Sequence, residues 1–284
     1  KKMRGVKGTF PKSQVPGGVA GAVMNVWLGG KRVRRAAIAS QEHAEQHIVL
    51  EGLGEGQHVV EVSKGTEPAF GLVAVAGVHL PEGAELLPAA TPRPVIEFVG
   101  DSDFAGTAAT APVGTYSMSL LSHFMDWSDP DFAAPAFVGE SFGVDVHNLG
   151  VGGSGLVSPA DVYGPTNRAS PSAQHYADRI AFNWGVPAGS EQYAVGEMPK
   201  VDCVVIWIGQ NDIIMGKLVG KKAMDQGIEE YAKLLSEIRR HRPAPLPIVC
   251  LHPEGAIHST HGGYLAAGGK KRRAIATDIG QWAE

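Results

Sequence analysis

Residues 1–90 run in short, nearly alternating apolar stretches. Examples are Val23-Met24-Asn25-Val26-Trp27-Leu28, His47-Ile48-Val49-Leu50, His58-Val59-Val60-Glu61-Val62 and Leu72-Val73-Ala74-Val75-Ala76. Turn residues separate them: Gly29-Gly30, Gly52, Gly54-Glu55-Gly56, Gly65, Pro68 and Gly71. A period near two is that of a half-buried strand, and regular glycine turns between such runs predict an all-β sandwich or jelly roll. Prolines 81, 88, 92 and 94 then mark a linker, because proline breaks regular elements.

From Pro94 onward the pattern changes. Apolar runs at 95–99, 144–146, 201–208 and 248–251 are each followed by a turn. The run from Val201 to Ile208 is almost wholly apolar, as expected of a parallel strand covered on both faces. Met224, Ile228, Tyr231, Leu235 and Ile238 recur at helical spacing and predict one buried helix face. Residues 116–127 and 174–184 carry shorter helical patterns. Strands alternating with helices predict a doubly wound, flavodoxin-like α/β domain. The expected domains are therefore 1–90 (β) and 91–284 (α/β).

Composition narrows the function classes. Of 284 residues, 44% are hydrophobic and 19% charged, which suits a packed core and excludes a disordered chain. A net charge of −4 offers nucleic acid no electrostatic footprint. Apolar stretches such as 71–78 fall far short of the roughly 20 residues needed to span a bilayer. Two cysteines exclude a disulfide scaffold, and no Cys/His spacing matches a zinc site. The chain opens on Lys1 with no charged-then-apolar leader in view, so the expectation is a start lying upstream, with the compartment left open.

Open α/β sheets bind ligands beyond the carboxyl ends of their strands. Three such ends carry Gly100-Asp101-Ser102, Asn148-Leu149-Gly150-Val151-Gly152-Gly153 and Gly209-Gln210-Asn211-Asp212. Singly, each reads as an ordinary turn or helix cap, and the glycine-rich one lacks the Lys-Ser/Thr of a phosphate loop. Together they supply what acyl transfer needs: a hydroxyl nucleophile and donors converging on one oxyanion. Ser102 brings Oγ and its own N–H, Gly153 an N–H and Asn211 a side-chain amide.

In this order, Gly-Asp-Ser, Asn-x-Gly-x-x-Gly and Gly-x-Asn-Asp resemble the first three blocks of the SGNH (GDSL) hydrolases. The stretch from Leu53 to Glu67, the entry Ile96-Glu97-Phe98-Val99-Gly100-Asp101-Ser102 and Trp184 narrow the resemblance to the carbohydrate esterase family 2 acetyl esterases, which join a jelly roll to an SGNH domain. The resemblance spans residues 20–255. It implies a serine esterase that deacetylates carbohydrate, without metal or cofactor, and a secreted one. Ser102 is then the nucleophile, Ser102, Gly153 and Asn211 form the oxyanion hole, and Gly100, Asp101, Gly209 and Asp212 shape the site. The family's fourth block, Asp-x-x-His, supplies the base, and none follows Asn211. A chain trimmed at both ends, with the base a histidine beyond residue 284, or one that ends early, is the expectation. His258 and His261, with His252 close by, are this chain's own candidates for the base, against a reading of them as polar loop residues.

Asp103 is a second departure, since the family usually places an apolar residue there. The alternative is therefore a catalytically inactive esterase-like domain serving as a binding or structural subunit. The two readings imply different partners: an acetylated carbohydrate or other small ester, or a protein assembly partner. Asp126, Asp129 and Asp131 fit either a calcium site or, more economically, a helix end and turn. Cys203 and Cys250 read as buried thiols, and as a disulfide only if their strands are neighbours. Trp184 and Tyr163 fit either a sugar platform or core, and the basic run 270–273 either a docking site for an anionic partner or, more economically, a solvated helix face.

Overall fold

The run Val23–Leu28 lies in the first arm of a hairpin whose second arm the apolar pattern does not reveal. Strand β2 (Gly21–Leu28) turns at Gly29-Gly30 and returns as β3 (Lys31–Ala39). Both glycines have positive φ, 56° and 78°, which a tight hairpin turn matching the strand twist requires. The computed structural model describes residues 2–9, 21–39, 47–66, 72–87, 92–111, 127–152, 154–156, 200–214 and 221–251. The chain divides into two compact units, one of Lys1–Arg93 with Gly106–Ala133, the other of Pro94–Ala105 with Ala134–Glu284. The sequence pattern places a single boundary near residue 90; the first unit also takes in Gly106–Ala133.

In the first unit, β1 (Lys2–Thr9), β4 (Ile48–Val49) and β6 (Leu72–His79) form one three-stranded antiparallel sheet, ordered β4-β1-β6. Strands β2, β3 and β5 (Val60–Lys64) form another, ordered β3-β2-β5. Met24, Val26 and Ile38 face inward and pack with Ile48, Leu50, Val62 and Val73. By alternation the opposite face of β2 carries Val23, Asn25 and Trp27. One extra residue, Val33, interrupts the β2–β3 register between Trp27↔Arg32 and Val26↔Arg34. That bulge puts Arg32 and Arg35 on the same side as Trp27 and Asn25. They meet the carboxylates of a 3-10 turn at Pro130–Phe132. Asp129, fully buried, accepts from Asn25 Nδ2 at 2.9 Å, from Arg35 at 2.7 Å and from Arg32. Asp131 accepts from Asn25 at 2.8 Å, Trp27 Nε1 at 3.0 Å and Ser63 Oγ at 2.6 Å. These donors hold Gly106–Ala133 to the β unit, because carboxylates removed from water need opposite charge and hydrogen bonds.

The second unit holds a four-stranded, wholly parallel sheet of β7 (Val95–Gly100), β8 (Asp145–Asn148), β9 (Cys203–Trp207) and β10 (Ile248–Cys250), ordered β10-β9-β7-β8. Relabelled in order of appearance this is 2-1-3-4, the doubly wound arrangement. Among the described residues its helices are α1 (Ser102–Ala105), α2 (Ala134–Phe142), α3 (Gln210–Ile214) and α4 (Lys221–His241). Helix α4 buries Tyr231, Leu234 and Ile238 against Val99, Val204 and Ile206. The expected stripe on α4 thus centres on Leu234 rather than Leu235, which packs at its margin; both lie within the broad apolar face of a helix of 3.6-residue period. On the other face of the sheet Phe104 stacks edge-on with Phe98 and Trp207, centroids 5.3 and 5.6 Å apart. Both faces are covered, which is why these strands read as continuous apolar runs. The one charge within β7, Glu97, is fully buried and accepts from Arg242 and His147, each at 2.9 Å. Cys203 and Cys250 are free thiols on neighbouring strands. Cys250 lies opposite Ile206, out of register for a bridge, and this removes the disulfide reading.

Candidate active site

Strand β7 lies between β8 and β9, and the chain leaves it first for one neighbour and then for the other. The crevice at such a reversal, beyond the carboxyl ends, is the usual ligand site of this architecture. Ser102 follows the end of β7 as the first residue of α1, and Asn211 follows the end of β9 in α3. Gly209 turns the chain between β9 and α3 with φ of 107°, a value side chains other than hydrogen rarely allow. Gly150 packs so closely on α1 that a Cβ there would lie 2.5 Å from the Ala105 nitrogen. Asn148 fastens the same contact, donating to the Phe104 carbonyl at 2.6 Å and accepting from Gly150 N–H at 2.8 Å.

The side chains around Ser102 form one hydrogen-bonded web. Asp101 is buried, with 1% exposure. Its Oδ1 accepts from Gln210 Nε2 at 2.7 Å and from Asp103 N–H at 3.2 Å, and its Oδ2 from Asn211 Nδ2 at 3.3 Å. Asn211 Nδ2 also donates to the Ser154 carbonyl at 2.8 Å. Gln210 Nε2 reaches Asp103 Oδ2 as well, again at 2.7 Å. Behind them, the buried Asp212 accepts from Leu156 N–H at 2.6 Å, fixing the loop that carries Ser154. Ser102 itself is half-buried, at the edge between this supported floor and solvent. The two Gln210 bonds to carboxylates are short, as hydrogen bonds to an ionised acceptor tend to be, and they tie the end of β9 to the end of β7.

Compared with known protein families and with curated protein sequences, the chain matches none. Solved structures do match. A family two carbohydrate esterase from Clostridium thermocellum, in complex with cellohexaose, superposes with a TM-score of 0.68 at 18% identity, covering 100% of this chain and 75% of that one. A family two carbohydrate esterase from Cellvibrio japonicus gives 0.67 at 16% identity over 99% and 71%. An acetyl xylan esterase from the rumen bacterium Butyrivibrio proteoclasticus gives 0.63 at 12% identity over 99% and 74%. The chain shares their fold.

Within this fold, the expected site residues Gly100, Asp101, Ser102, Gly209, Asn211 and Asp212 come together. Gly153, His258 and His261 lie outside the described residues, as do His252, Tyr163, Trp184, Asp126 and residues 270–273. Asp129 and Asp131 are engaged by Arg32, Arg35, Asn25, Trp27 and Ser63. Asp129 also caps the 3-10 turn. Among the described residues no group of three or more His, Cys, Asp or Glu could hold a metal ion, and no helix is long and apolar enough to cross a membrane. Gln210 escapes a reading of the sequence because it fills the variable position of Gly-x-Asn-Asp. Its signal is a polar side chain immediately after a buried strand.

Proposed function

We propose that this chain is a serine esterase that removes acetyl groups from carbohydrate, with residues 1–90 as a jelly-roll-like β domain preceding the α/β domain. Ser102 Oγ attacks the acetyl carbonyl, the sugar leaves as its alcohol, and water hydrolyses the acyl-enzyme. The N–H groups of Ser102 and Gly153 and the Asn211 amide hold the tetrahedral oxyanion. Asn211 keeps its shorter bond to Ser154 and exchanges the longer one, to Asp101, for the oxyanion. The general base is a histidine, for which His258 and His261 are this chain's own candidates, weighed against a reading of them as polar loop residues.

The observation that carries this reading is the hydrogen bond from Asn211 to the buried Asp101, the residue directly before Ser102, at the switch point of a fold shared with carbohydrate esterases. Ser102→Ala should abolish p-nitrophenyl acetate hydrolysis and the release of acetate from acetylated xylan. Unchanged turnover in that variant removes Ser102 as nucleophile.

Two observations favour a second reading, an inactive esterase-like domain that binds a protein partner. Both amide hydrogens of Asn211 are already engaged, and a carboxylate stands next to Ser102 at position 103. Full-length protein that folds, binds acetylated xylan and never turns it over would favour this reading.

A further inference from the structure

We infer that Gln210 is a positioning residue that restrains the two carboxylates flanking Ser102; this rests on the esterase reading. Asp101 and Asp103 sit on either side of the serine, and two negative charges there oppose the oxyanion that acyl transfer develops. The primary amide of Gln210 has two hydrogens on one nitrogen. That nitrogen lies 2.7 Å from Asp101 Oδ1 and 2.7 Å from Asp103 Oδ2. Both hydrogens are therefore used, one on each carboxylate, and Gln210 is itself only 5% exposed.

The geometry explains how this chain tolerates an acid beside its nucleophile. Asp103 is exposed, and without a partner its carboxylate would be free to sample positions over Ser102. Bound to Gln210 it is drawn back toward α3, where its charge is shared with a donor dipole. Gln210 follows Gly209 directly, so the turn that delivers Asn211 to the site delivers the restraint as well. An uncharged amide of this length suits the position. A lysine there would reverse the local potential, and a shorter asparagine would be one methylene short of spanning both acids.

The test is the rate at which a fluorophosphonate labels Ser102, together with kcat and KM for p-nitrophenyl acetate. Gln210→Met keeps the length and removes the donors. Its labelling rate and kcat should fall about tenfold to a hundredfold, the effect of losing a hydrogen bond to a charged group, with KM moving much less. Adding Asp103→Asn should then restore most of the loss, and the same substitution should help far less in the wild-type background. Such non-additivity marks residues acting through one contact. Should Gln210→Met not fold, Gln210→Leu carries the same prediction, since it also removes both donors. A labelling rate in the folded variant equal to wild type overturns the inference, and so does a loss that Asp103→Asn leaves unrepaired. Wild-type protein that takes no label overturns the esterase reading and this inference with it, a result distinct from labelling that is indifferent to Gln210.

Discussion

Asn211 holds two hydrogens on one nitrogen and spends them on unequal partners, the Ser154 carbonyl at 2.8 Å and Asp101 at 3.3 Å. The difference matters to the proposed chemistry, because the longer bond is the one a developing oxyanion can displace. Asn211→Ala should therefore lower kcat by about 10²–10³, or about 2.7–4 kcal/mol of barrier, with little change in KM. A variant with wild-type kcat would take Asn211 out of the oxyanion hole. Ser102 and Asn211 are legible in the sequence because each stands at a fixed place after an apolar run. Gln210 is not, since its importance lies in two acids more than a hundred positions earlier in the chain.

Elements are legible where burial is two-sided and hidden where charge is neutralised at long range. The strand pattern of β7 and β9 follows from cover on both faces. Strand β3, with Lys31-Arg32-Val33-Arg34-Arg35, does not stand out in the apolar pattern, because Asp129, the acid that pairs with both Arg32 and Arg35, lies about a hundred residues downstream. That pairing also explains why Gly106–Ala133 belongs with the β unit. Asp129→Ala leaves two part-buried arginines facing a lost acceptor, and unfolding in urea should show about 3 kcal/mol less stability. A change under about 0.5 kcal/mol would reduce the contact to a surface ion pair. Helix α4 supplies a pH prediction. Burial, with Cys250 adding to it, pushes the Tyr231 phenol above its ordinary range. An unfolded tyrosine ionises near pH 10, so the folded state keeps a proton that the unfolded state gives up. Stability from this group is complete below about pH 10 and falls as the pH rises above it. Urea midpoints between pH 8 and 11 should show that fall in wild type and a shallower one in Tyr231→Phe; equal slopes would contradict it.

At the scale of the whole molecule, the parallel sheet with its 2-1-3-4 order explains why residues 102 and 211, far apart in sequence, share one crevice. The α/β architecture is readable because alternation of strand and helix leaves few topologies. Strand β1 is not, since Lys2–Thr9 has little apolar content and gains its place by pairing with β4 and β6. The central claim is that the crevice holds an activated serine. It is tested most directly by exposing the folded, full-length chain to a fluorophosphonate and mapping the modified peptide. Covalent label on Ser102, lost in Ser102→Ala and accompanied by p-nitrophenyl acetate turnover, is the predicted result. A folded chain that remains unlabelled, or one labelled elsewhere with Ser102 untouched, would contradict it.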